Sequence, residues 1–329
     1  LGQYMGGPMY YMNKACKNKW LGTAFCILCL ISSFGIGNMV QSNTVSQSIN
    51  SIFSRLKIYI DIKPIIIIIA LIVGYITLGG IKRIAKATQA IVPAMALFYI
   101  FGCIFIIIIN IKDLPYAFSY IIKSAFNIKS AGGGVCGFAI SKAIKVGFTR
   151  GVFTNEAGLG SAPIAHAAAQ TDHPARQGLW GIFEVFFDTI IMCTLTGLVI
   201  VISKSYDCGL AGADMTFFAF GKYLGDFAYF FIAISTIFFA VSTIIGWGYY
   251  GQTCIRFLSK SKAAMLSYKL IYIIVIYIGA VIEADLVWGL SDLFNSLMMI
   301  PNLFAILMLA DEVKNITKDF EHKIKKKEL

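Results

Sequence analysis

The sequence predicts an all-α integral membrane protein with about eight transmembrane helices. Three observations predict it. Of 329 residues, 58% are hydrophobic and 14% charged, and mean hydropathy is +0.75; a water-soluble domain of this size would expose large apolar patches. The apolar residues gather in runs near the roughly 20 residues that a bilayer crossing needs. The Lys and Arg residues behind the net charge of +11 fall in short loops between those runs. That is the positive-inside pattern, and it argues against one basic domain that binds nucleic acid.

Taken in order, the predicted spans cover residues 21–48, 63–81, 88–110, 134–166, 178–203, 225–252, 265–282 and 287–310. The second is the clearest: an isoleucine-rich run with Pro64 near its start and Gly79-Gly80 at its end, the punctuation expected of a helix. The fourth is the least apolar. Between the third and fourth, residues 112–129 read as an amphipathic helix lying at the interface. From Asp311 the chain is mixed in charge and reads as a solvated helical tail, residues 311–329, attached to a single transmembrane domain.

Charge predicts the orientation. With the N-terminal stretch inside, the inner loops carry Lys14, Lys17 and Lys19, then Lys82, Arg83 and Lys86, then Arg176, then Arg256, Lys260 and Lys262, with Lys314, Lys318, Lys323, Lys325, Lys326 and Lys327 in the tail. The outer loops carry Arg55, Lys57, Lys112, Lys123, Lys129 and Lys204, and the last outer turn carries Glu283 and Asp285. A multi-pass protein of the plasma membrane with both termini cytoplasmic follows from the alternation. Cys26 and Cys29 form a CxxC inside an apolar run; with no second pair or histidines to complete a set, a metal or redox role is disfavoured.

Residues 147–166, GFTRGVFTNEAGLGSAPIAH, are the main candidate for function. Arg150 and Glu156 bring charge into the fourth span, and Gly151, Gly158, Gly160 and Pro163 interrupt helical hydrogen bonding. Open backbone at membrane depth is tolerated only against protein or a water-filled cavity, and broken helices commonly hold transported solutes. Asn155, Glu156, Gly158, Gly160 and Ser161 supply small or polar groups there. A half-helix N-terminus suits a carboxylate, and unwound carbonyls suit Na⁺. A purely structural re-entrant turn is the other reading.

Three further constellations stand out. In the sixth span, Ser235, Ser242, Thr243 and Gly246 are small or hydroxylic, and Thr243 and Trp247 share a helix face. Hydroxyls are hard donors suited to hard cations; bonding back to the i−4 carbonyl is the structural alternative, and an interfacial anchor is the alternative for Trp247. The end of the first span holds Asn38, Gln41, Ser42 and Asn43, which must face protein or water. Glu184 and Asp188 lie four apart in the fifth span: a proton or cation path, or partners of Arg150, Arg176 or the backbone. Asp292, near the start of the last span, is a cap or a gate. His166 and His173 lack a third ligand for a metal, and no catalytic triad or phosphate loop indicates an enzyme.

The stretch GVFTNEAGLGSAPIAHAAAQTDHPARQGLWGIFEVFFDT resembles the central motif of the alanine/glycine:cation symporters, the sodium:alanine symporter family. MGGPMYYMNKACKNKWL, SFGIGNMVQSN, STIIGWGYYG and DLFNSLMMIPNLFAIL agree with the same family, so the resemblance spans essentially the whole chain. It implies the leucine-transporter-like fold of two inverted five-helix repeats and Na⁺-coupled symport of alanine or glycine by alternating access, with H⁺ as the alternative coupling ion and no cofactor. Carried over motif by motif, it implies a substrate site of Gln41, Phe153, Asn155, Gly158, Thr243 and Trp247, with Ser242 and Thr243 as Na⁺ ligands.

The resemblance also implies an upstream portion with a first broken helix, ahead of Leu1. On that expectation the eight spans are the third to tenth of a ten-helix core, and the chain carries half of a transport site. A non-transporting remnant or an amino-acid-binding membrane subunit is then the alternative function.

Overall fold

The computed structural model describes residues 5–14, 19–126, 133–210 and 212–326. Lys17, Lys129 and Lys327, counted above among the loop and tail charges, lie outside them, as do residues 127–129 of the predicted interfacial helix. Among the described residues every regular element is helical. A short α1 (Pro8–Lys14) leads into α2 (Lys19–Phe34), which continues through a π turn at Gly35–Met39 into α3 (Val40–Arg55). Then follow α4 (Lys63–Leu78), α5 (Ile81–Ile109), α6 (Leu114–Phe126), α7 (Gly133–Asn155), α8 (Ala162–His166) and α9 (Pro174–Val185). A second π turn, Phe186–Met192, joins α9 to α10 (Cys193–Ser203); α11 (Gly212–Leu224), α12 (Phe227–Leu258), α13 (Lys262–Val281), α14 (Ala284–Met308) and α15 (Ala310–Lys325) complete the chain.

Among the described residues six helical stretches are long and apolar enough to cross a membrane: Lys19–Arg55, Ile81–Ile109, Pro174–Ser203, Phe227–Leu258, Lys262–Val281 and Leu286–Met308. The protein is a multi-pass membrane protein. The expected second span is a shorter apolar helix, Lys63–Leu78, and Gly80, with φ of +75°, turns the chain at its end. The expected fourth span divides into α7, of 23 residues, and α8, of five. Lys82, Arg83 and Lys86 belong to the first turns of α5 and not to a loop, because Gly80 supplies the turn and the helix restarts at once. Residues 114–126 are helical as expected, and so is the tail from Ala310; α11 is an element that the sequence did not announce.

The core is built on α12, which lies antiparallel to the α2–α3 unit. Arg55 at the end of α3 binds Asp226 at the start of α12, with Nε 2.9 Å from Oδ1. Further along, Val45 and Ile49 share one apolar cluster with Ala240. Then Gly37 lies so close under Trp247 that any side chain there would strike the indole. The π turn is what brings Gly37 to this contact, since the extra residue swings the glycine to the buried face. α14 packs along α2 with a buried stripe of Ser291, Asn295, Met298, Asn302 and Ala305. α13 closes the opposite side against α3 and α4; its Tyr272 carbonyl accepts from Asn38 Nδ2 at 2.7 Å.

Candidate functional site

The fourth span unwinds between Asn155 and Ala162. Asn155 ends α7, and its Oδ1 accepts the Ala157 N–H at 2.8 Å, an Asx turn that competes with a further helical turn. Glu156 (φ +54°), Gly158 (φ +83°) and Gly160 (φ +90°) then take left-handed backbone. At Gly160 the demand is absolute: a Cβ would stand 2.7 Å from Pro8, 2.9 Å from Asn302 and 2.9 Å from Phe25. Pro163 sits in the first turn of α8, where proline costs nothing. Gly151, expected to loosen the span, is helical within α7, because the Asx turn and the left-handed residues begin only after Asn155.

The turn is held on two sides. Glu156 receives the Trp247 indole N–H at 3.0 Å on one carboxyl oxygen and the Ser161 hydroxyl at 2.5 Å on the other. Trp247 is 2% exposed, so it is a core residue of α12 and not an interfacial anchor. From α14, Asn302 Nδ2 donates to the Gly158 carbonyl at 2.9 Å, and its Oδ1 accepts the Tyr11 hydroxyl from α1. Of the backbone opened by the break, the Gly158 carbonyl is thereby satisfied from α14, while α12 and α1 hold the side chains of Glu156 and Asn302 that brace the turn.

The other expected site residues distribute around this turn. The antiparallel pairing of α3 with α12, anchored at Gly37–Trp247 and Arg55–Asp226, sets Gln41 and Thr243 level with each other, one turn from Trp247. Gln41 Nε2 donates to the Ile36 carbonyl of the π turn at 3.2 Å. Thr243 and Ser242 both donate to the Phe239 carbonyl at 2.9 Å; Ser235 likewise donates to Phe231 at 2.8 Å. Phe153 packs on Trp288 of α14, with ring centroids 5.1 Å apart. Asn38, Ser42 and Asn43 are buried and bind backbone: Asn43 Nδ2 donates to the Gly279 and Ile282 carbonyls at 3.2 and 2.8 Å.

Several expected pairings are replaced. Arg150 bonds Asp292 of α14, its guanidinium over the rings of Phe153 and Trp288 at 5.3 and 4.9 Å. Asp292 is therefore a mid-helix partner and not a cap; α14 starts eight residues earlier, at Ala284. Arg176 pairs with Asp172, four residues before it, at 3.0 Å. Glu184 meets His166 Nε2 at 3.1 Å, because α8 folds back beside α9. Asp188 lies in the second π turn, and one of its carboxyl oxygens and the Thr189 hydroxyl are buried without a hydrogen-bond partner among the described residues. Cys26, Cys29 and Cys254 are buried free thiols, and among the described residues no His, Cys, Asp and Glu cluster could hold a metal ion.

Glu156, Asn302 and Tyr11 are the residues whose roles the sequence left unassigned. Asn302 could have been found: an amide after Pro301 in an apolar run carries the same cost that singled out Asn38. α8, at five residues, is too short to carry much of a helix dipole. Recognition at the break rests on the unwound groups themselves.

The sequence profile of the sodium:alanine symporter family matches residues 1–329. The chain is 42% identical over 337 residues to the sodium/alanine symporter AgcS of Methanococcus maripaludis, covering 99% of this chain and 71% of that protein. It is 41% identical over 327 residues to an uncharacterised transporter of Haemophilus influenzae, covering 98% and 70%. It is 39% identical over 318 residues to the probable sodium/glutamine symporter GlnT of Bacillus subtilis, covering 96% and 65%. These relatives carry the names of transporters and not of enzymes. The glycine-broken helix, its polar anchors and these matches agree: the chain belongs to the sodium:alanine symporter family.

Proposed function

We propose that this chain is the membrane core of a Na⁺-coupled symporter for small neutral amino acids, with the substrate seated at the break between α7 and α8. One observation carries the proposal: the unwound turn is tied by Glu156 to Trp247 of α12, with Gln41 and Thr243 one turn away. An amide, a hydroxyl and an indole are the groups that would bind a zwitterion's carboxylate, ammonium and side chain. Gln41, Phe153, Asn155, Gly158, Thr243 and Trp247 form the proposed substrate site.

Ser242 and Thr243 are the proposed Na⁺ ligands. Thr243 directs its proton to the Phe239 carbonyl, which leaves lone pairs for a further partner, the state a cation ligand requires; the Ser242 hydroxyl lies within reach of both the Phe239 carbonyl and the Met95 sulfur. The resemblance extends the proposal to a leucine-transporter-like inverted repeat and alternating access, and the loop charges extend it to a plasma-membrane location with cytoplasmic termini including the 311–329 tail. Alanine is the first substrate to test. Glycine is the second, and glutamine the third, since GlnT carries that name.

The test is uptake of labelled alanine by proteoliposomes holding the chain, with and without a Na⁺ gradient, beside the shift in Tm that alanine produces in detergent. Na⁺-dependent uptake that Trp247→Ala and Asn155→Ala abolish is the expected result. Uptake that survives both substitutions overturns the site. A Na⁺-independent Tm shift without uptake replaces the symporter with an amino-acid-binding membrane subunit.

A further inference from the structure

The tail helix α15 is polar along most of its length, and one side chain does its packing. Phe320 is 7% exposed, whereas the other described residues of α15 are exposed or half-exposed. Its ring lies on His173 at 5.0 Å between centroids. Beside it Asp319 Oδ2 takes His173 Nε2 at 3.1 Å and Lys323 Nζ at 2.8 Å; these partners hold the Asp319 carboxyl below its usual range, Lys323 foremost. A helix of 16 residues is marginal in water by itself, so its position rests on this contact and on its junction with α14.

His173 is the hinge of the corner it occupies. It has extended backbone (φ −145°, ψ 135°) and caps α9, its Nδ1 accepting the Ala175 N–H at 3.2 Å. Both ring nitrogens are thereby engaged, one by the start of α9 and one by the tail. Seven residues before it α8 ends, at His166, which is bonded to Glu184 and to Gln177 of α9 at 3.1 and 2.7 Å. Whatever moves α8 must therefore move the corner 167–173 and the start of α9 with it.

We propose that α15 is a latch: docking of Phe320 and Asp319 on His173 fixes the corner between α8 and α9 and so restrains the second half of the broken helix. The restraint on transport rests on the proposed function above; the restraint on the corner does not.

The experiment is hydrogen exchange on the full chain in detergent, comparing wild type, Phe320→Ala, Asp319→Asn and, as a control on the exposed face of α15, Val313→Ala. Faster exchange at residues 167–176 by about threefold or more in the first two, with α12 unchanged and the control silent, is expected. Equal exchange at 167–176 in wild type and both latch variants overturns the latch. If Phe320→Ala does not fold, Asp319→Asn decides, since it changes one atom. Alanine uptake by the same variants is the second readout. A faster initial rate at unchanged Na⁺ dependence supports restraint of transport, and an unchanged rate with a loosened corner overturns it. Wild-type chain without uptake counts against the symporter and leaves the exchange result standing.

Discussion

The two ends of α8 are held by different physics. At its start, residues 156–161 are wedged among α1, α2, α12 and α14, with left-handed glycines and half-buried hydrogen bonds to α12 and α14. At its end, His166 is tied to Glu184 and Gln177, and residues 167–173 turn through a polar corner fixed by the exposed pair Asp172–Arg176, by Thr171 to the His173 carbonyl, and by the tail residue Phe320 on the buried His173 ring. A short helix fixed hard at one end and softly at the other can pivot. On the proposed latch, the movable side of the break is the side of the tail.

The contrast can be broken most severely at Gly160. Gly160→Ala must pay left-handed strain of about 1–2 kcal/mol and overpacking of about 1–3 kcal/mol against Pro8, Asn302 and Phe25. The detergent-solubilised protein is expected to lose stability by about 3 kcal/mol. Gly178→Ala in α9, where an added Cβ meets nothing, is expected to gain up to about 1 kcal/mol. Equal melting temperatures for the two variants would remove the distinction.

Smaller effects sharpen it. Trp247→Phe keeps a ring over Gly37 but removes the donor to Glu156, and is expected to cost about 1–2 kcal/mol. Asn302→Leu strips partners from the Gly158 carbonyl and the Tyr11 hydroxyl, with a loss of about 1–2 kcal/mol. Combined with Tyr11→Phe in a double-mutant cycle, it should fall short of additivity, because both changes break the same bond. At the soft end, Asp172→Asn removes an exposed pair four residues apart and should shift stability by no more than about 0.5 kcal/mol. A loss above 2 kcal/mol there would make the corner as rigid as the turn.

Much of this was legible beforehand, for identifiable reasons. Helices α4, α5, α12, α13 and α14 follow from apolar runs that only a bilayer explains. The break follows from charge and glycine at membrane depth. The burial of Asn38, Ser42 and Asn43 follows from the cost of amides and hydroxyls in lipid. The partners were not legible. Arg150 chose Asp292, 142 residues away, over nearer acids, and Glu184 chose His166 over any arginine. Pairing across helices depends on register, which no local pattern encodes. The two π turns were invisible as well, since one inserted residue leaves the hydropathy profile unchanged.

The sequence by itself determined the solvent this protein is made for, the run of helices through it and the place where one must open, because hydrophobicity and backbone conformation are local properties. Only the tertiary structure decided that Glu156 meets Trp247, that Gln41 and Thr243 stand level, and that the tail reaches His173. Those facts come from the antiparallel register of α3 with α12 and from the return of the chain's end to the corner. Such distances are set by how helices pack, and packing is a property of the whole chain.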